Sequence, residues 1–128
     1  MVLKESGEMY LETILVLSQD GRTVRSIDVA EQMGYSKPSV SRAVGRLKSG
    51  GFLTMGAGGE LELTETGRTI AETIYERHQV LSAFLTSIGV DPVVAANDAC
   101  KIEHAISAES FSALKDYLSE LSLEERTK

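Results

Sequence analysis

The sequence predicts a mainly α-helical chain with an N-terminal winged helix-turn-helix followed by an all-helical domain. The first half has three helix-like stretches, then two strand-like stretches around Gly56-Ala57-Gly58-Gly59, which is a hairpin signal. The second half shows helical spacing of apolar residues and no strand pattern. A chain of 128 residues can bury a core without disulfides or other staples. We expect the two domains to comprise residues 1–63 and 64–128.

The elements of the first half begin and end at residues that favour caps or turns. Ser26 is a candidate N-cap of a short helix, and Gly34 is suited to close it. Ser36 is the N-cap of the next helix, where Pro38 lies in the first turn and costs no hydrogen bond. The predicted elements are helices over residues 5–19, Ile27–Met33 and from Ser36 to the Gly50-Gly51 pair, and strands Phe52–Met55 and Glu60–Leu63.

The second half divides into three helices at residues that are typical of helix starts and ends. Thr64 precedes a long apolar-periodic stretch, Gly89 ends it, and Asp91-Pro92 is a typical helix start. Ser107 interrupts the pattern and caps a last helix. The predicted helices run from Thr64 to about Ile88, over about Val93–Ile106, and from Ser107 to about Leu121.

Composition limits the protein classes to consider. The chain has 13 basic and 19 acidic residues, a net charge of −6, which argues against a uniformly basic nucleic-acid coat. The single cysteine, Cys100, cannot form an internal disulfide, so we expect a cytoplasmic protein. No apolar run is long enough to span a membrane, and we expect no membrane partner.

The positive charge is concentrated in one segment of the first half. Residues 36–50 contain four cations and no acid, in contrast to the acidic second half. Such a segment is either a phosphate-contacting surface or an ordinary solvated helix face. The four cations are Lys37, Arg42, Arg46 and Lys48.

The same segment has the pattern of a DNA recognition helix. Short polar and long basic side chains lie near its N-terminus, and Val40 and Val44 form an apolar back. We expect Thr54 and Met55 on the wing to approach the minor groove, and the wing to contribute little to DNA binding because its tip has no Arg or Lys. A helical hairpin with an exposed polar face is the structural alternative. The candidate DNA-binding residues are Ser36, Lys37, Pro38, Ser39, Ser41, Arg42, Arg46 and Lys48.

A second pattern consists of metal-ligand side chains. Cys100, Glu103 and His104 are spaced i, i+3 and i+4, so a helix continuing through them would place all three on one face. His78 lies on the preceding long helix, and Met9 and Glu12 are spaced i, i+3 on the first helix. Each of these also has a structural interpretation, as a core residue or as part of a solvated face.

In combination these segments resemble the diphtheria-toxin-repressor family of metal-dependent repressors, which includes iron-dependent and manganese transport regulators. The resemblance implies a winged-helix domain, a helical dimerisation domain, a homodimer on palindromic operator DNA, and repression of metal-uptake genes when metal is abundant. It is closest to the short, two-domain form. The matching segments are Glu8-Met9-Tyr10-Leu11-Glu12, Ser36-Lys37-Pro38-Ser39-Val40-Ser41, Leu63-Thr64-Glu65-Thr66-Gly67, Arg77-His78 and Asn97-Asp98-Ala99-Cys100-Lys101-Ile102-Glu103-His104.

The resemblance also implies a ligand set. The primary site of the iron branch matches Met9, Cys100, Glu103 and His104, and the second site of the manganese branch matches Glu12 and His78 with a shared Glu103. The ancillary site of the iron branch needs a carboxylate at Ser82 and a histidine at Ala96, and both are absent. Up to two metal sites per subunit are therefore expected.

The types of donor atom indicate which metal ion the site would prefer. Thioether and thiolate donors favour Fe(II), or Ni(II), Co(II) and Zn(II) in vitro, over the harder Mn(II). We expect an Fe(II)-activated repressor; the alternatives are a Mn(II)-responsive regulator of the same family and a winged-helix regulator sensing an organic ligand or thiol oxidation. An enzyme using Cys100 and His104 is not expected, because no oxyanion loop or phosphate-binding glycine motif accompanies them.

Overall fold

The computed structural model describes residues 4–126, with side chains to residue 121, so the ends of the two predicted domains (1–3 and 127–128) lie outside it. The described residues form a mainly helical chain with a small sheet, which confirms the predicted fold class. In order, the elements are α1 (Glu5–Ser18), β1 (Val24–Arg25), α2 (Ser26–Met33), α3 (Lys37–Ser49), β2 (Leu53–Met55), β3 (Glu60–Leu63), α4 (Glu65–Ser87), α5 (Pro92–Ile102) and α6 (Ala108–Arg126).

The chain forms two compact units, Met1–Ile74 and Tyr75–Lys128. The division lies within α4, so the first part of this helix packs with the three helices and the sheet before it. The boundary expected between residues 63 and 64 stays a prediction about where the functions divide. None of the helices in the part of the chain that the structure describes is both long and apolar enough to cross a membrane.

The first unit has its core between α1, α2, α3 and the sheet. The sheet is antiparallel with the order β1-β3-β2, and Val24 of β1 pairs with Leu61 of β3. β1 was not predicted because two residues are too few to show alternation. The most deeply buried side chains of this core are Leu11, Ile14, Val29, Val40, Val44 and Leu53.

The helix caps of the first unit agree with the sequence with one exception. Gly34 adopts a left-handed conformation with φ of 71° and ends α2, and the Ser36 hydroxyl accepts the Ser39 amide proton at the start of α3. The prediction that Ser26 caps α2 is wrong, because Ser26 is already helical and Arg25 is the N-cap. The reason is that the Asp28 carboxylate accepts the Arg25 amide proton at 2.9 Å.

The start of α4 is tied to the base of the wing, the β2–β3 hairpin. The Thr64 hydroxyl donates to the Gly51 carbonyl at 2.7 Å and accepts the Gly67 amide proton at 3.1 Å. Gly67 lies against the Phe52 carbonyl, where a Cβ atom would clash. A side chain at this position would therefore push α4 away from the strand.

The second unit contains the rest of α4, α5 and α6. Asp91 caps α5 by accepting the amide protons of Val93 and Val94, and Ser107 caps α6 by accepting that of Ser110. Among the side chains described for this unit, up to residue 121, the buried ones are Leu81, Ala95, Ala99, Glu103 and Phe111.

Two helix ends in this unit differ from prediction. α5 was expected to continue to Ile106 but ends at Ile102. The Ala105 amide bonds three residues back, to the Ile102 carbonyl, and residues 103–105 form a turn. α6 was expected to end near Leu121 but continues to Arg126. The earlier end of α5 changes the geometry of the candidate metal ligands.

Candidate metal centre and nucleic-acid interface

Three candidate ligands of the second unit come together in one cluster. The ligand atoms of His78 on α4, Cys100 on α5 and Glu103 just beyond α5 all lie within 4.8 Å of one another. His78 Nδ1 is 2.9 Å from Glu103 Oε2 and 3.6 Å from Cys100 Sγ. Because a carboxylate can only accept, the imidazole donates to Glu103.

Glu103 is the centre of this cluster. Its side chain is only 1% exposed, and its second oxygen, Oε1, lies 3.3 Å from Nε2 of His104, which is itself 2% exposed. A buried carboxylate is costly unless positive charge or donors surround it. Two imidazole nitrogens lie next to the carboxylate here: His78 Nδ1 from α4 within hydrogen-bond distance of one oxygen, and His104 Nε2 from the turn after α5 near the other.

The prediction that Cys100, Glu103 and His104 share one face of a helix is wrong for His104. Cys100 is in the last turn of α5, Glu103 is the C-cap residue, and His104 lies in the following turn. The i, i+3 relation of Cys100 and Glu103 survives because Glu103 keeps helical backbone angles, with φ of −57° and ψ of −26°. His104 approaches Glu103 from the turn instead of from the helix.

The remaining candidate ligands belong to the first unit. Met9 and Glu12 are partly exposed on α1, one turn apart, and the Met9 carbonyl accepts a hydrogen bond from the Thr13 hydroxyl at 2.8 Å. Next to Met9, the ring of Tyr10 packs at a tilt against Tyr35, with 6.1 Å between the centroids. Burial, and secondarily Tyr35, raise the pKa of Tyr10, so its hydroxyl stays neutral at physiological pH.

The donor set of the cluster fits a divalent transition metal. An imidazole, a thiolate and a carboxylate are all common ligands of such ions, and here they converge from two helices and a turn. The set mixes a soft sulfur donor with a hard oxygen donor. This chemistry suits Fe(II), Co(II) or Zn(II) and also retains the histidine and carboxylate that Mn(II) accepts.

The candidate recognition helix presents its cations to solvent, while its apolar back is buried. Val40, Val44 and Leu47 are buried in the first unit, as the sequence predicted. At the N-terminus, the Ser36 hydroxyl donates to the Ser39 hydroxyl at 2.9 Å, and Arg42 donates to the same Ser39 oxygen at 3.4 Å. Among the candidate DNA-binding residues, Ser39 is partly buried and the others are exposed: Ser36, Lys37, Pro38, Ser41, Arg42, Arg46 and Lys48.

The structure adds a cation next to the wing that the sequence analysis missed. Arg25, at the end of β1, donates from Nε to the Gly58 carbonyl at the wing tip, at 3.1 Å. The residue is 33 positions from Gly58 and reaches it because β1 pairs with β3. No signal in the local sequence of the wing indicates this contact.

Comparison with known proteins agrees with a DNA-binding N-terminal part and a metal-binding C-terminal part. Residues 2–57 match the family model of the iron dependent repressor N-terminal DNA binding domain, and residues 64–127 match that of the iron dependent repressor metal binding and dimerisation domain.

Individual relatives and structures point the same way. The chain is 34% identical to the diphtheria toxin repressor of Corynebacterium diphtheriae over 94% of its own length and 54% of that protein, so it spans about half of this relative. It is 36% identical to the transcriptional regulator MntR of Salmonella typhimurium, over 86% of the chain and 70% of MntR. A structure of the manganese regulator SloR superposes with a TM-score of 0.80 at 25% identity, over 93% of this chain and 55% of that one. The chain therefore belongs to the iron-dependent repressor family of metal-dependent transcriptional repressors.

Proposed function

We propose that the chain is a metal-activated repressor that binds palindromic operator DNA as a homodimer and responds to Fe(II) in controlling metal-uptake genes. The observation that carries the proposal is the convergence of His78, Cys100 and Glu103 within 4.8 Å in a protein of this family. We propose that the chain acts in the cytoplasm, where such a repressor would meet its DNA.

The proposed ligands come from both units. His78, Cys100, Glu103 and His104 belong to the second unit, and Met9 and Glu12 belong to α1 of the first. A bound cation would supply the positive charge that holds these donors together. Ligands drawn from both units would couple metal binding to the orientation of the DNA-binding half, and a preference of a few kcal/mol for the DNA-competent form is enough for a switch.

Two features support Fe(II) as the activating metal. The sulfur of Cys100, which would bind a metal as a thiolate, lies within reach of His78 and Glu103, and Met9 offers a thioether on α1. Soft donors of this kind disfavour Mn(II), which prefers carboxylates, carbonyls and water.

The second candidate is a Mn(II)-responsive regulator. The contact between His78 Nδ1 and Glu103 Oε2, at 2.9 Å, favours it, because an imidazole and a carboxylate together make a site acceptable to Mn(II). Glu12 would complete that site from α1. Up to two metal ions per subunit would follow if this site and the one with Met9 and His104 were both used.

The proposed DNA contacts divide by position on α3. Residues near its N-terminus, with Arg42 one turn in, would reach base edges in the major groove, and Arg46 and Lys48 would contact phosphates. The exposed side chains and the buried back of α3 support this assignment. We propose that the boundary at residues 63 and 64 separates the DNA-binding function from metal binding and dimerisation.

The proposed dimer would use the second unit. Apolar side chains just after α4 and at the start of α5 are exposed: Ile88 (63%), Val93 (68%) and Val94 (47%). Such a surface supports burial against a second copy of the chain.

The deciding experiment is an anaerobic gel shift. The protein is titrated on its own upstream DNA with Fe(II), Mn(II) and Zn(II) at controlled free concentration, with His104→Ala as the matched variant. We expect operator binding that depends on metal, a lower activating concentration for Fe(II) than for Mn(II), and loss of activation in the variant. Operator binding that is unchanged by a chelator would contradict metal activation.

A further inference from the structure

Arg77 on α4 holds the turn that follows α5. Its Nη1 atom donates to two main-chain carbonyls of this turn, that of Glu103 at 3.1 Å and that of Ile106 at 2.9 Å. The guanidinium also lies over the ring of Phe111 on α6, 5.6 Å from its centroid. One side chain therefore joins α4 to the turn and to the helix that comes after it.

The contact with the Glu103 carbonyl satisfies the end of α5, where Glu103 is the C-cap residue. The last carbonyls of an α-helix have no intrahelical partner, and a cation at this end also opposes the negative end of the helix dipole. Because one nitrogen serves the carbonyls of residues 103 and 106, it sets the path of the backbone between them. His104 lies within that interval.

Two consecutive residues of α4 thus contact Glu103, one at its main chain and the other at its side chain. Arg77 binds its main-chain carbonyl, and His78 binds its carboxylate at 2.9 Å. We propose that Arg77 is a positioning residue of the metal centre, which orders the carboxylate of Glu103 and the imidazole of His104 before metal binds. This inference rests on the proposed metal-binding function.

The same pair of helices has a second link that serves as a control. Lys115 on α6 lies 3.1 Å from the Glu76 carboxylate on α4, and both side chains are about half exposed. This ion pair joins α4 and α6, as the contact between Arg77 and Phe111 does, but it touches neither Glu103 nor the turn. Removing this exposed pair shows how far metal binding depends on a link between α4 and α6 alone, and the conservative variant Arg77→Lys shows how far it depends on the donor to the turn.

The test compares the wild type with Arg77→Met, Arg77→Lys and Lys115→Met. Each protein is titrated anaerobically with Co(II), and the thiolate-to-cobalt absorption from Cys100 reports binding. We expect Arg77→Met to lose about 10- to 100-fold in Co(II) affinity, as is typical when a residue that orients a metal ligand is removed. Arg77→Lys, which keeps the charge and a donor, should retain part of the affinity, and Lys115→Met should bind like the wild type.

Hydrogen exchange on the metal-free proteins gives a readout that needs no metal. The amides of Ala105 and Ile106 bond to the Ile102 carbonyl within the turn, and we expect them to exchange faster in Arg77→Met but not in Lys115→Met. If Arg77→Met fails to fold, Arg77→Lys carries the comparison, with an affinity below that of Lys115→Met.

The results of these experiments can refute the positioning role of Arg77 and the proposed metal-binding function independently. Wild-type Co(II) affinity in Arg77→Met, or equal losses in Arg77→Met and Lys115→Met, would overturn the positioning role. Absence of Co(II) binding by the wild type would instead refute the proposed metal-binding function. The exchange rates of the turn would still decide whether Arg77 orders it.

Discussion

His78 Nδ1 lies 2.9 Å from Glu103 Oε2, although 25 residues separate them in the sequence. The contact brings an imidazole of α4 to a carboxylate that is only 1% exposed. In the metal-free chain this donor compensates part of the cost of burying Glu103.

The first prediction concerns Glu103→Gln. The amide keeps the size of the side chain but removes the charge that a divalent cation needs, so we expect Co(II) no longer to stabilise the protein. The wild type should gain about 2.7 kcal/mol in the free energy of unfolding at 100 times the dissociation constant. Chemical denaturation with and without Co(II) measures this gain. Glu109→Gln, which removes an exposed carboxylate in the first turn of α6, is the control and should keep it.

The second prediction concerns metal choice. The double variant Met9→Asp, Cys100→Glu replaces both soft donors with carboxylates, and we expect its operator binding to respond to Mn(II) at a lower free concentration than in the wild type. Anaerobic titrations of both proteins with Fe(II) and Mn(II) provide the measurement. If operator binding by the wild type is activated by Mn(II) at a lower free concentration than by Fe(II), the argument that soft sulfur donors select Fe(II) is wrong. The Mn(II)-responsive alternative is then favoured.

The third prediction separates two roles on α3. Arg42→Ala should relax base preference, because Arg42 lies one turn into the recognition helix and is oriented by Ser39. Lys48→Ala should weaken binding to all sequences about equally and reduce the slope of log affinity against log salt by about one. Competition binding on operator and random DNA at several salt concentrations distinguishes them. Unchanged binding by both variants would contradict the assignment of α3.

The fourth prediction concerns the dimer. Val93→Glu introduces a charge at a position that is 68% exposed in the described chain, and it should shift the protein toward monomer and lower operator affinity. Sedimentation equilibrium measures the association. Val16→Glu adds the same charge to an exposed position of α1 and should leave the dimer intact. Equal association by the two variants would place the interface elsewhere.

Most of the fold could be predicted because its signals are local. Ser36 caps α3, Gly34 ends α2 and Asp91 caps α5, each through contacts to residues within four positions along the chain. What the sequence did not reveal depends on distant residues. β1 exists because Val24 meets Leu61, and Arg25 reaches the wing tip only through that pairing.

The candidate metal site was predictable in its residue types but not in its local geometry. Helical spacing placed Cys100 and Glu103 together correctly, whereas the helix ends before His104. The carbonyls of the turn are bound by Arg77, 26 and 29 residues away, and no helical pattern reports such a contact. The role of each ligand and the contacts to DNA stay predictions for the experiments above.

The hydrogen bonds made by Thr64 hold together the two ends of the wing hairpin. The Thr64 amide bonds to the Phe52 carbonyl and its hydroxyl bonds to Gly51, so the hairpin between them begins and ends at the same place. Lengthening such a loop costs little, about 0.6 kcal/mol for each doubling, because closure entropy grows only with the logarithm of length. An insertion at the tip would alter the contact between Gly58 and Arg25, but it would leave the bonds of Thr64 at the base of the hairpin in place. The wing could therefore change in length and chemistry while α3 keeps its place in the first unit.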